Sequence, residues 1–211
     1  MPRSATKSFS SYDVHPGVAI VQRWVSDLKP KTGRSLEEWI AVVQKDGPQD
    51  YASRRAWLKS EHKLGSNSAW WIADRAEGKG REENSPDEYL ASAAKFVEAQ
   101  YAGGKSELRA IFEELVKLGR SFGQDVKICP CKTVVPLYRN HVFAQIKPTT
   151  KTRVDLGMCF TTHNGVLAKR LIDTGGLAKK DRITHRIELT SAGQIDGEVR
   201  KWLQLAYTLD A

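Results

Sequence analysis

The 211-residue chain is poor in cysteine, with three, and in methionine, with two. So few thiols, in odd number, exclude a disulfide-built scaffold and suit a reducing compartment, so no disulfide is expected. Long apolar runs are missing as well. The longest, Trp39–Val43 and Ala69–Ala73, fall far short of the roughly 20 residues that a membrane-spanning helix needs. Met1–Tyr12 lacks the apolar centre of a secretory leader and reads as a Ser-rich frayed arm. These absences point to a cytoplasmic protein with no membrane partner. Absent too are the commoner catalytic signatures, His-Glu-x-x-His and Gly-x-Ser-x-Gly. No catalytic residue and no cofactor is assigned.

What is abundant is positive charge, and it is gathered in one place. The chain holds 33 Lys+Arg against 25 Asp+Glu, a net of +8. Between Val126 and Arg186 there are twelve basic residues and three acids (Asp155, Asp173, Asp181), so that stretch alone is +9 and the remainder is −1. The tryptophans divide the other way, with Trp24, Trp39, Trp57, Trp70 and Trp71 early and only Trp202 late. Two regions of different character follow.

The first is helical. Val18, Val21, Val25 and Leu28 recur at helical spacing, and Lys29-Pro30 is expected to end that helix. Ser35 followed three residues later by Glu38 forms a capping box, opening a helix that Gly47-Pro48 stops. A third helix is expected over Tyr51–His62, closed by Gly65 in the left-handed conformation, and a fourth begins near Asn67. The third and fourth have the outline of a helix-turn-helix. The would-be recognition helix offers only Ser66, Asn67, Ser68 and Arg75 among alanines and tryptophans, so a helical hairpin packed on tryptophan is favoured over a groove reader. Lys79–Ser85 is charged and Gly-bearing, the composition of a linker. Pro86 with Asp87 and Glu88 behind it starts another helix, which reaches Gly103-Gly104. Gly103-Gly104-Lys105-Ser106 lacks the first glycine and the preceding strand of a phosphate loop, and reads as a helix cap followed by Ser106 as the next N-cap. Ile111, Leu115, Leu118 and Phe122 form the inward row of that helix.

After Gly123 the period changes to two. Val142, Ala144 and Ile146 alternate with His141, Phe143, Gln145 and Lys147, and Thr152–Phe160 alternates likewise. Asn140 and Pro148-Thr149-Thr150 separate antiparallel strands. A short helix over Val166–Ile172, a strand over Arg182–Leu189, and a last helix capped by Ser191 and Gln194 complete the order α-β-β-β-α-β-α. The fold class is therefore α+β: an N-terminal all-α bundle over residues 17–80, a connecting helix over 86–104, and over 106–211 an antiparallel sheet with helices on one face.

Certain stretches carry a resemblance. Lys31-Thr32-Gly33-Arg34-Ser35, Glu37-Glu38-Trp39 and Ala56-Trp57-Leu58-Lys59-x-Glu61-His62-x-Leu64-Gly65 resemble a bacterial N-terminal domain of unknown function. Lys132-Thr133, Phe143-Ala144-x-Ile146-x-Pro148, Lys151-Thr152-Arg153-Val154-Asp155-Leu156-Gly157 and Thr184-His185-Arg186-Ile187-x-Leu189-Thr190 resemble the uncharacterised C-terminal domain often attached to it. The sequence departs from the pattern at Cys129-Pro130-Cys131 and Met158-Cys159-Phe160. The resemblance implies a two-domain protein and no particular activity.

Two sites follow from the residues. With the apolar parity of each strand turned to the helices, Phe143, Lys147, Lys151, Arg153, Arg182 and Arg186 fall on the open face, with His141, Gln145 and Thr184. Basic side chains interleaved with a ring suit phosphates and a stacked base, so nucleic acid or another polyanion is the expected partner. The alternative is a small-ligand pocket between sheet and helices using Lys132, Thr133, Arg153 and His185. No metal site is expected. Cys129 and Cys131 on a flat strand would aim thiols about 7 Å apart, against the ~3.8 Å between sulfurs implied by a Zn–S bond of ~2.3 Å.

Overall fold

A computed structural model describes residues 12–163 and 165–211; the expected N-terminal arm, short of Tyr12, lies outside them. The chain divides into two compact units, His15–Ala91 and the segment up to Val14 together with Ser92–Ala211.

The first unit is all helical. α1 (Gly17–Thr32) continues through Pro30, because a proline in the last turn forfeits one backbone bond while Gly33, at φ 79°, donates its N–H to the Lys29 carbonyl. α2 (Leu36–Asp46) opens on the expected capping box: Ser35 Oγ accepts from the Glu38 amide, and Glu38 Oε2 accepts from the Ser35 amide at 2.6 Å. α3 (Tyr51–Ser60) is capped by Asp50. Gly65 is not its left-handed terminator; Lys63 takes that conformation at φ 57°, and Gly65 is the N-cap of α4 (Ser66–Ala76). Leu28, Trp39, Val43, Leu58, Ala69 and Ile72 make the buried centre. Around it the Trp24 and Trp71 rings meet edge to face at 4.9 Å, and the His62 ring stands between Trp39 and Trp57.

Arg75 is 4% exposed. Its Nε donates to Asn84 Oδ1 and its Nη1 to the Lys79 carbonyl. Residues 79–85, expected as a linker, are thereby tied to α4 and contain a short 3-10 turn, Arg81–Glu83. The boundary between the units falls inside α5 (Pro86–Gln100).

In the second unit a 3-10 turn, Gly103–Leu108, leads into α6 (Arg109–Arg120), so Ser106 caps nothing. Six antiparallel strands follow: β1 (Lys127–Ile128), β2 (Val135–Tyr138), β3 (Val142–Pro148), β4 (Val154–Met158), β5 (Ile172–Asp173) and β6 (His185–Leu189), in spatial order β1-β2-β3-β4-β6-β5. The expected helix over Val166–Ile172 is absent; that stretch is irregular and ends in the edge strand β5. α7 (Gly197–Leu209) starts from Asp196, whose carboxylate accepts from the Val199 amide, whereas Gln194 Oε1 accepts from the Thr190 amide instead of serving the helix. Ile111, Leu115, Val199, Trp202 and Leu203 of α6 and α7 share a core with Leu137, Ile146, Leu156 and Ile187 of the strands. The helices thus cover one face of the sheet and leave the other for charged side chains.

Candidate nucleic-acid interface

The open face is assembled by strand register. Lys147 of β3 lies opposite Asp155 of β4, which lies opposite Glu188 of β6. In the next row Gln145 faces Gly157, and Gly157 faces Arg186. Facing residues point to the same side, so these two rows define the surface.

Of the residues expected there, Phe143 is misplaced. It is fully buried, and its ring stands edge-on to Tyr207 at 5.6 Å. The cause is an irregularity in the β2–β3 ladder, where Leu137 pairs with Ala144 but its neighbour Tyr138 pairs with Val142. Phe143 is the extra residue of this bulge, which turns two successive side chains of β3 inward. Thr184 is also buried, and its Oγ1 accepts from the Phe160 amide.

Arg153 and Arg186 are on the open face but are not free charges. Arg153 pairs through Nε with Asp155 Oδ1 at 2.9 Å and through Nη1 with Glu188 Oε1 at 2.9 Å. Arg186 pairs with the same Glu188 oxygen at 3.1 Å and approaches Asp155 Oδ2 at 3.8 Å. Thr149 Oγ1 donates to Asp155 Oδ2 as well. The result is a neutral four-residue network, with the Asp155 side chain only 13% exposed at its centre. Arg182 is engaged elsewhere, by the Val142 carbonyl and the Asp210 carboxylate.

The lysines differ. Lys147, Lys151, Lys169, Lys179 and Lys180 are exposed and enter no ion pair among the described residues. The first two flank the β3–β4 hairpin at one end of the face, and the stem of Lys151 lies over Gly104. Lys105 reaches the same hairpin and donates to the Pro148 carbonyl at 2.6 Å, so it serves as a tether. Lys179 and Lys180 sit in the turn between β5 and β6, at the opposite end, whereas Lys169 precedes β5 beside Arg170, which bonds the Gln194 carbonyl and Asp196 past the C-terminal end of β6. The acids near them are turned to local backbone: Asp173 accepts from the Gly175 amide and Asp181 from the Ile183 amide.

The alternative pocket set is not gathered. Lys132 and Thr133 are exposed ahead of β2. Val154, next to Arg153, pairs with Leu189, whereas His185 pairs with Met158 at the other end of the ladder. Four strand steps of about 3.4 Å separate the ends, roughly 14 Å. His185 instead contacts Thr184 Oγ1 and the Phe160 ring.

Among the described residues the three cysteines form no disulfide; Cys129 and Cys159 are buried and Cys131 is half-buried. Burial pushes the Cys129 thiol up to about 12. Among the described residues no group of three or more His, Cys, Asp or Glu is placed to hold a metal ion, and no helix is long and apolar enough to cross a membrane. In the helical unit Trp24 Nε1 donates to Ser68 Oγ, and Arg75 is folded inward, so two of the four polar groups of the would-be recognition helix are not offered to a groove.

Asp155 is the partner of Arg153 that its outward parity on the strand leads one to expect, in preference to a general base, with Lys151 the other candidate; Glu188, at the same two-residue spacing from Arg186, is the acid that the same parity could have exposed and that sequence reasoning passes over.

A helical N-terminal unit followed by a sheet with helices on one face is a two-domain α+β arrangement, and the family comparisons divide the chain in the same sense. Residues 97–210 match the family described as Domain of unknown function (DUF5655), and residues 21–78 match the one described as Domain of unknown function (DUF4287). The first match spans more than half of the chain, which therefore belongs to the DUF5655 family. No curated protein and no solved structure matches it.

Proposed function

We propose that the sheet unit contacts nucleic acid through the phosphate backbone, using the exposed lysines at the two ends of its open face. The observation that carries this reading is the asymmetry of pairing. Lys147, Lys151, Lys179 and Lys180 carry unpaired charge outward, while Asp155 and Glu188 at the centre of the face are neutralised by Arg153 and Arg186. The roughly 14 Å between the ends corresponds to about four phosphates of one strand, at ~3.4 Å per phosphate along a duplex axis. With Phe143 in the core, the ring expected to stack on a base is unavailable, and contacts to phosphate position a protein without reading sequence. Binding is thus non-specific and strongly salt-dependent.

Four phosphate contacts give a slope of log K against log salt of about −3.6 on duplex DNA, from ~0.9 per contact. Neutralising two, in Lys147→Gln/Lys151→Gln, should flatten that slope by about 1.8. Fluorescence anisotropy with a labelled oligonucleotide between 50 and 200 mM KCl reads both values, on the order used to resolve such slopes. Binding that ignores salt, or a double variant with the parent's slope, would overturn the reading.

A further inference from the structure

The turn between β5 and β6, residues 174–184, is tied down at its base and across its middle. The Thr174 amide donates to the Thr184 carbonyl, and Thr174 Oγ1 donates to the Ile183 carbonyl at 2.8 Å while accepting from the Gly176 amide. The Asp181 amide donates to the Gly176 carbonyl at 2.8 Å, and the Asp181 carboxylate accepts from the Ile183 amide. Gly176 is buried, and a Cβ there would fall 2.1 Å from the Ile183 carbonyl oxygen, so the two arms of the turn meet backbone to backbone. Arg182 fixes the returning arm to the body of the unit: its Nε donates to the Val142 carbonyl and its Nη2 to Asp210 Oδ1. The same carboxylate accepts from the His141 amide at 2.7 Å and meets the His141 ring at 3.2 Å.

On this mount stands Leu177, 68% exposed. A single exposed leucine is ordinary on a protein surface. This one differs in its setting. Lys179 and Lys180 follow within three residues, exposed and without an ion pair among the described residues. The carboxylates of Asp173 and Asp181 are held on the Gly175 and Ile183 amides and not on the lysines. The strand that leads into the turn belongs to the open face, since Ile172 of β5 pairs with Arg186. An apolar side chain on a fixed support thus stands beside two free cations at one end of that face.

We propose that this turn is a wedge for duplex DNA: Leu177 enters between two stacked base pairs while Lys179 and Lys180 hold the neighbouring phosphates. The proposal rests on the phosphate-backbone reading above and adds to it a contact with bases, in place of the ring lost with Phe143 to the core. Apolar side chains flanked by cations unstack and kink a duplex in this manner, against the cost of the stacking they break. A turn already fixed loses little freedom on insertion, which leaves more of the binding free energy to meet that cost. Leucine has no polar group with which to tell one base edge from another. What it senses is how readily a step opens, and a mispaired step opens more readily than a paired one.

Two DNA duplexes of equal length and equal phosphate charge test this, one fully paired and one with a single central mispair. The full chain should bind the mispaired duplex about tenfold tighter, because part of the stacking that insertion must break is already lost there. On the paired duplex, 2-aminopurine placed at the central step should brighten on binding as its stacking is lost. Leu177→Ala, a change at an exposed position, should fold as the parent does and keep the parent's slope of log K against log salt, yet lose both the preference and the brightening. Leu177→Phe should keep both. Equal affinity for the two duplexes, unchanged 2-aminopurine emission, or a preference that survives in Leu177→Ala would overturn the wedge while the salt-dependent binding stands. A chain that binds neither duplex would overturn the reading of the lysines, and the wedge with it.

Discussion

The tightest local packing in the helical unit surrounds Gly80, and it gives a quantitative test. Gly80 sits at φ 73°, and a Cβ there would fall 1.8 Å from Arg75 Nη1 and 2.8 Å from its Cζ. Gly78 has the same φ of 73° with nothing within 4 Å of its would-be Cβ. Alanine at either position carries the left-handed backbone cost of about 1 to 2 kcal/mol. Only at Gly80 must the guanidinium also move. The end of an arginine is flexible, but this one is 4% exposed, and leaving its place forfeits its bonds to Asn84 and the Lys79 carbonyl. A hydrogen bond to a charged group contributes about 1.5 to 3 kcal/mol. Gly78→Ala should thus destabilise by about 1 kcal/mol and Gly80→Ala by about 3 to 4 kcal/mol. At about 4 to 8 °C per kcal/mol for a domain of this size, the melting points should drop by roughly 5 °C and 15 °C or more. Tryptophan fluorescence is the natural readout, since five of the six tryptophans belong to this unit and report its melting. Equal losses in the two variants would refute the argument that Arg75 is confined.

Three further outcomes are expected. Phe143→Ala should cost about 3 to 5 kcal/mol in denaturant unfolding, the range for a buried aromatic, whereas a ring on the open face would cost almost nothing. Cys131 should react with maleimide first at pH 7.5, with Cys129 modified only on unfolding, because burial raises its thiol and removes the reactive thiolate; mass spectrometry of partly labelled protein reads the order. The Asp196 carboxyl is held below its usual range, first by the Val199 amide and then by Arg170. A depressed carboxyl contributes stability above its unfolded value, and that is lost as pH falls through the folded one. Asp196→Asn should accordingly be less stable than the parent at pH 7 and indistinguishable from it near pH 2, by thermal melts; an equal gap at both would remove this account.

How much of this was legible beforehand depended on the reach of each signal. The Ser35–Glu38 box, the Pro86 helix start, the apolar row Ile111, Leu115 and Leu118, and the alternation of Ala144, Ile146 and Lys147 are set by residues within four positions of each other. The chain's own order therefore reveals them, as it reveals the +9 stretch and the break between a Trp-rich helical region and a sheet. The side on which Phe143 falls is another matter, because the bulge that turns it inward exists only in its pairing with β2. Pairing across the sheet likewise joins Arg153 to Glu188 and brings Arg186 toward Asp155, closing the two same-strand pairs into a neutral centre and leaving the lysines as the free charges of the face. His141 and Asp210 stand 69 residues apart, and no periodicity links them. Local preference sets which elements form, whereas burial and partners depend on contacts distant in sequence. Only the folded chain could decide which charges remain free.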